Sequence, residues 1–274
     1  KTATEMLYGG YANLMSRVKD IRLKVIPSKI ANGFIKKHHY SRKVFNNSRV
    51  HFGAFLDGIL HGVMSFGDSI DKRKVLGLVN GTKWNEFIEL NRMAFDEVLP
   101  KYSESRCISI ALKLLKKQAH HIKWVISFAD ATQCGDGTIY RASGFKLTGI
   151  KKKTGQWKIE SGEVICDMIT RARWNESTRN RLGFKLGESW KKYSERANAK
   201  KLKGYQLRYI YFLHPEEQKN LTVPAIPFSK IKEVGASMYL GEKLCDVGVK
   251  RSTASFQDVG GGAIPTTSLH LSHA

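Results

Sequence analysis

The stretch from Ser127 to Phe145, Ser-Phe-Ala-Asp-Ala-Thr-Gln-Cys-Gly-Asp-Gly-Thr-Ile-Tyr-Arg-Ala-Ser-Gly-Phe, constrains this chain more than any other. An apolar run, Trp124-Val125-Ile126, enters it with the character of a buried strand, and a short helix over Thr138 to Ser143, stopped by Gly144, leaves it. A chain that passes from a buried strand through a glycine turn into a helix has to layer helix on sheet, so the expected fold class is α/β. The strand delivers a carboxylate, Asp130, and the helix a tyrosine, Tyr140, which is a common way to build a site. The bland reading is an ordinary joint in which Gly135 and Gly137 merely turn the chain.

Upstream, Arg22 to Val25 reads as a short strand, and Pro27-Ser28 opens a helix with Ile30, Phe34 and Ile35 on one face that runs out at His38-His39-Tyr40-Ser41. Val50 to Leu56 and Ile59 to Phe66 are β-like runs joined by Asp57-Gly58, a strong hairpin signal. Phe87 to Phe95 alternates as a further strand; an ideal pleat puts Glu89 and Asn91 on one face and Leu90 and Arg92 on the other. After Pro100, Ser103 or Ser105 can cap a helix whose apolar stripe is Ile108, Ala111, Leu112 and Leu115. Phe145 to Ile150, Gln156 to Ile159 and Glu163 to Ile169 read as strands, the last two paired through Ser161-Gly162. The pattern predicts a mixed central sheet flanked by helices, not a doubly wound one, and no G-x-x-x-x-G-K-[ST] loop is present.

Charge narrows the partner. With 46 Lys+Arg against 24 Asp+Glu the net charge is +22, and in a chain with 42% hydrophobic residues such an excess points first to nucleic acid. An anionic membrane is second, but there is no long apolar span or signal-peptide pattern, so a soluble, cytoplasmic protein is expected. The four cysteines, Cys107, Cys134, Cys166 and Cys245, are scattered without a C-x-x-C pair, which fits reduced thiols.

Between Arg171 and His214 the sequence has 12 Lys/Arg against 3 Glu, interleaved with Trp174, Trp190, Tyr193, Tyr205, Tyr209 and Tyr211. That mixture suits phosphate contact with base stacking, and Arg171, Arg173, Trp174, Arg179, Arg181, Lys191 and Lys192 are the expected contacts. The bland reading is a solvated helix over Gly187 to Lys203 followed by a core strand, Gln206 to Leu213. The expected organisation is a catalytic core over 1–170, a basic aromatic-rich segment over 171–214 that completes the core and contacts nucleic acid, and an extension over 215–274. That extension carries a helix near Ser229 to Leu240 and a Gly/Ser/Thr-rich flexible tail.

The order strand, helix, hairpin, strand, helix, strand and short helix ending in Tyr140-x-x-x-Gly144-Phe145 resembles the GNAT acyltransferase superfamily. Four further segments look like the Mom family: His39-Tyr40-Ser41; the hairpin His51-Phe52-Gly53-Ala54-Phe55 to Gly62-Val63-Met64-Ser65-Phe66-Gly67; Glu89-Leu90-Asn91-Arg92-Met93-Ala94; and Ser127-Phe128-Ala129-Asp130 with Gly137-Thr138-Ile139-Tyr140. The resemblance covers Arg22 to Ile150. It implies a phage DNA-modification enzyme that converts the exocyclic amine of adenine to a carbamoylmethyl derivative in double-stranded DNA, inside the infected host cell, and so protects the genome from restriction. Carried over residue by residue, it implies functional roles for His39, Tyr40, Glu89, Arg92, Ser105, Asp130 and Tyr140. One departure stands out. Acetyl-CoA-using members of the wider superfamily carry a Gly-rich pyrophosphate loop before the central helix, whereas this chain reads Lys101-Tyr102-Ser103-Glu104-Ser105-Arg106, without glycine and with an acid.

Adenine N6 is a poor nucleophile because its lone pair is delocalised into the ring, so a base must take its proton while an electrophile is held close. Asp130 is the first candidate base and His39 the second; Tyr140 and Ser105 are candidate donors to an oxyanion, and Arg92 with Glu89 would orient donor or base. Against these stand a plain sheet salt bridge for Glu89 and Arg92 and a helix-capping role for His39. His39, Tyr40 and Asp130 also form a candidate iron site. A glycyl group contains the same atoms as a carbamoylmethyl group, so glycyl-tRNA is the expected donor in preference to acetyl-CoA, with tRNA as a second polyanionic partner. The target base must leave the stack, and Tyr40, Trp84 or Trp174 could hold it. The competing readings are a GNAT-like acyltransferase acting on RNA or protein and a non-catalytic basic DNA-binding protein.

Overall fold

The computed structural model describes residues 17–133, 135–239 and 242–243. Its framework is a sheet of seven strands: β1 (Arg22–Val25), β2 (Ser48–Leu56), β3 (Ile59–Gly67), β4 (Phe87–Phe95), β5 (Trp124–Asp130), β6 (Lys146–Lys153) and β10 (Gly204–Phe212). Their order across the sheet is β1-β2-β3-β4-β5-β10-β6. Only β4 and β5 pair in parallel, and the α-helix between them, α3 (Ser103–Gln118), makes that crossover. Asp57 and Gly58 both adopt positive φ, 52° and 81°, in the two-residue turn between β2 and β3, the geometry that matches strand twist.

The two faces of the sheet are covered differently. Cys107, Ile108, Ala111, Leu112 and Leu115 of α3 pack on Met64, Phe66, Leu90, Val125, Leu207 and Tyr209 to form the main core. On the opposite face α1 (Ser28–His38) places Ala31 and Ile35 on Val63 and Ala94. Further along that face, Val75 of α2 (Lys72–Leu76) and the following Leu78 meet Phe87, Trp124, Ile126 and Ile210. After β5, the short helix expected between Gly137 and Gly144 is α4 (Thr138–Ala142). A smaller three-stranded sheet is built from β7 (Gln156–Lys158), β8 (Val164–Cys166) and β9 (Lys200–Lys201), in the order β8-β7-β9, over Ile165, Leu182, Phe184 and Tyr193.

Several elements differ from the sequence expectation. The run expected as a strand over Glu163 to Ile169 is a strand only to Cys166, because Asp167 opens a helix, α5 (Asp167–Arg171). The solvated helix expected over Gly187 to Lys203 is shorter, and another helix precedes it. The first is α6 (Glu176–Leu182), capped by Asn175 and ended by Gly183 at φ 70°; the second is α7 (Trp190–Arg196), capped by Ser189. Neither Ser103 nor Ser105 caps α3; their hydroxyls donate to the carbonyls of Pro100 and Tyr102. The helix expected to reach Leu240 stops early, as α8 (Ser229–Glu233): Gly235 turns left-handed at φ 69°, and β11 (Met238–Tyr239) and β12 (Glu242–Lys243) pair next. The Gly-rich tail lies outside the described residues. Among those residues no helix is long and apolar enough to cross a membrane.

Candidate active site

β4 and β5 pair only from Phe87 with Trp124 to Leu90 with Ser127. Beyond that point each strand keeps only its outer neighbour, β4 pairing with β3 out to Phe95 and β5 with β10 out to Asp130, so the sheet opens a gap in its middle. Ser127 marks the start of the gap by donating its hydroxyl to the Leu90 carbonyl at 3.1 Å.

The side of β4 that borders this gap is reshaped by a β-bulge. Ser65 pairs with Arg92, yet the next residue, Phe66, pairs with Leu90, so Asn91 is the extra residue. One inserted residue reverses the alternation that follows it, and Glu89 and Arg92, opposed on an ideal pleat, share a face. This corrects the sequence expectation that they diverge. Asn91 is held in the bulge by the Ser48 hydroxyl at 3.1 Å.

Around that face lies a polar group. The Arg92 guanidinium donates to the Lys43 carbonyl at 3.0 Å and to the Asn91 carbonyl at 2.7 Å, and it stacks over the Phe45 ring. Burial pushes the Glu89 carboxyl up, while Arg92 and the polar Ser69 and Asn91 side chains oppose the shift. His39, 7% exposed, follows the last turn of α1; burial and the Arg92 charge hold its imidazole down at about 4. Its Nδ1 accepts the Ser41 backbone N–H at 3.1 Å, which leaves Nε2 carrying the hydrogen of the neutral ring. His39 is therefore built to donate a hydrogen bond at neutral pH and is poorly suited to the role of base. The Tyr40 ring leans on it at 4.3 Å and is 52% exposed. In the same cross-strand row the buried His51 and Ser65 are joined at 2.8 Å, with Ser65 opposite Arg92. Sequence reasoning singled out neither, because only the pairing register puts them beside Arg92.

Asp130 stands on the same sheet face, since it lies four residues beyond Ile126, the partner of Glu89. Its carboxylate is heavily engaged: Lys153 Nζ at 2.9 Å, Gln156 Nε2 at 3.1 Å, Gln133 Nε2 at 3.4 Å and the Thr132 N–H at 3.1 Å. Tyr140 is elsewhere. Its ring packs on Tyr209 at 5.2 Å and Phe145 at 5.5 Å, within the core on the α3 face. Asp130 and Tyr140 thus approach from opposite faces and share a site only across the gap. Ser105 lies in the first turn of α3, beside Tyr102, which adopts φ 73° in the turn that replaces a glycine loop. The Cys107 thiol in the same helix is buried and pushed up to about 12, which rules it out as a nucleophile.

The expected nucleic-acid contacts fall on α5 to α7 and the turn between. Trp174 is 60% exposed with the Arg173 guanidinium over its ring at 4.9 Å. Arg171, Lys191 and Lys192 are exposed, Arg179 donates to the Trp174 carbonyl, and Arg181 is ion-paired with Glu163. Trp190 and Tyr193 instead pack on Phe184 in the small core, and Tyr209 is wholly buried. Among the described residues no group of three or more His, Cys, Asp or Glu side chains is placed to hold a metal ion.

A mixed sheet opened between its one parallel pair, with a neutral histidine, a half-buried glutamate and an arginine gathered on one side of β4, defines an α/β protein with the element order expected of the GNAT acyltransferase superfamily. More narrowly, the chain belongs to the Mom protein family, which matches residues 20–230. It is 34% identical over 209 residues to the methylcarbamoylase mom of Escherichia phage Mu, a span of 74% of this chain and 80% of that protein. Among solved structures it is similar to a Bacillus subtilis acetyltransferase in complex with CoA, with a TM-score of 0.40 and 11% identity over 70% of this chain and 98% of that one. FeeM, an N-acyl amino acid synthase from uncultured soil microbes, gives a TM-score of 0.42 and 12% identity over 74% of this chain and 95% of that one.

Proposed function

We propose that this protein is a phage transferase that converts adenine N6 in double-stranded DNA to the carbamoylmethyl derivative and so shields the DNA from restriction. The observation that carries the chemical part is Glu89. Burial makes it a stronger base than an exposed carboxylate, and the Asn91 bulge sets it on the face of Arg92, where the sheet parts. Family membership and the name of the phage Mu relative support the substrate and the group transferred.

In this reading the flipped adenine stacks on Tyr40, and the Nε2–H of His39 donates to the base or to the donor carbonyl. Glu89 takes the N6 proton as the N6 lone pair attacks. Arg92 neutralises the negative charge that develops, and Tyr140 reaches the donor from the other side of the gap. Asp130 fixes the end of β5. The donor proposed is a glycyl ester such as glycyl-tRNA: the N6–C bond forms, the ester C–O bond breaks, the tRNA hydroxyl leaves, and rearrangement of the glycyl group to carbamoylmethyl changes no atom count. The atom balance supports this donor, together with a turn before α3 that lacks glycine.

Plasmid recovered from cells expressing the protein, digested to nucleosides and weighed by mass spectrometry, tests the reading. A carbamoylmethyl-deoxyadenosine peak that disappears in Glu89→Gln is the expected result. Unmodified plasmid from the wild type would overturn it in favour of an RNA or protein acyltransferase or a non-catalytic DNA-binding protein. Label from glycyl-tRNA in the product, and none from acetyl-CoA, is the result expected for the donor.

A further inference from the structure

β6 and β10 do not end where β5 does. Past the pairing of Lys151 with Gln206 the two strands continue through Lys152 with Tyr205 and Lys153 with Gly204. The Leu202 N–H then donates to the Gln156 carbonyl at 2.9 Å, and β7 and β9 prolong the ladder to Trp157 with Lys201 and Lys158 with Lys200. The result is an antiparallel ribbon leaving the main sheet, about 25 Å long at the usual rise per residue.

Six exposed lysines stud this ribbon: Lys151, Lys152, Lys158, Lys200, Lys201 and Lys203. None of them makes an ion pair among the described residues; the ribbon's one such pair is Lys153 with Asp130. Lys158 and Lys200 stand directly opposite each other, a placement that destabilises a ladder unless an anion lies between or over the two. The nearby Glu163 is already occupied by Arg181.

The ribbon's root is fixed beside the gap. Lys153 and Gln156 both bind Asp130 at the end of β5, and Gly204 approaches so closely that a Cβ there would lie 1.8 Å from the Thr132 hydroxyl. A polyanion held by the ribbon is thereby held next to the candidate site.

We propose that this ribbon is the arm that grips the phosphate backbone of duplex DNA. The choice of a duplex rests on the DNA-modifying reading above, and two features of the ribbon favour it. Its aromatic side chains are turned inward, Trp157 onto Trp190 at 4.8 Å and the Tyr205 hydroxyl onto the Val234 carbonyl at 2.9 Å, so it offers charge without platforms for stacking single-stranded bases. Nor does it carry an exposed large apolar side chain of the kind that enters a membrane. A span of about 25 Å follows roughly seven base pairs of duplex.

The test is fluorescence anisotropy of a labelled duplex across a salt series for the wild type, a ribbon variant (Lys158→Gln, Lys200→Gln, Lys201→Gln) and a control with neutralised charge on exposed α3 (Lys116→Gln, Lys117→Gln). Each lost phosphate contact lowers the log–log salt slope by about 0.9, so the ribbon variant is expected to lose about 2 to 3 from its slope and at least tenfold in affinity near physiological salt. The control keeps its slope, and neither variant melts below the wild type, since removing the facing Lys158 and Lys200 charges relieves repulsion. A second ribbon variant, Lys151→Gln with Lys152→Gln, is expected to lose about 2. The proposal falls if the wild type does not bind duplex, if the ribbon variants lose no more than the control, or if they lose affinity for single strands, tRNA or anionic vesicles while duplex binding stays intact. Plasmid modification, measured in parallel, separates this from the reading beneath it. A ribbon slope that drops in a protein that modifies no adenine leaves the arm and removes the enzyme; full modification with an unchanged slope does the reverse.

Discussion

His39 is neutral because it is buried beside an arginine, and that has a measurable signature. Its folded value of about 4 lies below the ordinary 6.5, so between those limits the unfolded chain binds the extra proton. The stabilisation is complete above pH 6.5 and is lost as pH falls toward 4, by up to about 3 kcal/mol across that window. Urea unfolding at pH 7 and pH 4.5 should show that acid loss in the wild type and a smaller one in His39→Gln; an equal loss in both proteins would refute the assignment. Glu89 has the opposite sign. Its carboxyl is raised, so the folded state holds the proton more tightly, and the contribution present below the ordinary 4.5 fades as pH climbs through the folded value. Glu89→Gln should therefore gain stability relative to the wild type toward neutral pH while losing roughly 10²- to 10⁴-fold in modification rate, the contribution typical of a positioned base. Wild-type modification should rise with pH as Glu89 ionises.

The loop before α4 shows how an element depends on single glycines. Gly137 has φ 73°, and a Cβ on it would sit 2.6 Å from the Tyr209 ring, whose hydroxyl binds the Asp136 carbonyl. Gly135 has φ 84° but open space around it. Gly135→Ala should thus lose about 1 kcal/mol from backbone strain alone, and Gly137→Ala should lose roughly 2 kcal/mol or more because the clash adds to the strain. Thermal melting of both variants tests this, and equal losses would mean the contact with Tyr209 carries nothing. The sequence made this strand, loop and helix legible, as it did the hairpin at Asp57-Gly58 and the stripe of α3, because each is written in local periodicity and turn chemistry. Asn91 was opaque for a physical reason: a bulge is an offset between two strands, and it exists only in the register of β4 against β3. The inverted orientation of Arg92 followed from missing it. β10 was readable as a core strand, but its place between β5 and β6 was not, since long-range pairing has no local signal.

Across the whole molecule the same distinction decides what Asp130 does. From the sequence it is a carboxylate at the end of a buried strand and hence a candidate base. In the fold its oxygens tie the end of β5 to the Thr132–Gln133 turn that follows it and to a distant part of the chain, the root of the lysine ribbon at Lys153 and Gln156. A carboxylate so fully engaged is built to hold its neighbours in place, and its loss would free the ribbon from the gap it flanks. Asp130→Asn keeps one oxygen acceptor, enough for the Thr132 N–H on one side or for the Gln156 amide on the other but not for both, and it gives up the charge that faces Lys153. It should retain duplex binding, its salt slope and part of the modification activity. Asp130→Ala leaves those donors unmatched, and should lower stability by about 2 kcal/mol and cut modification while the lysines still bind DNA. Modification assays and salt-dependent anisotropy on the two variants separate the roles: a base would lose activity equally in Asn and Ala with stability almost untouched, whereas an anchor is graded, with Ala far worse than Asn in both activity and unfolding.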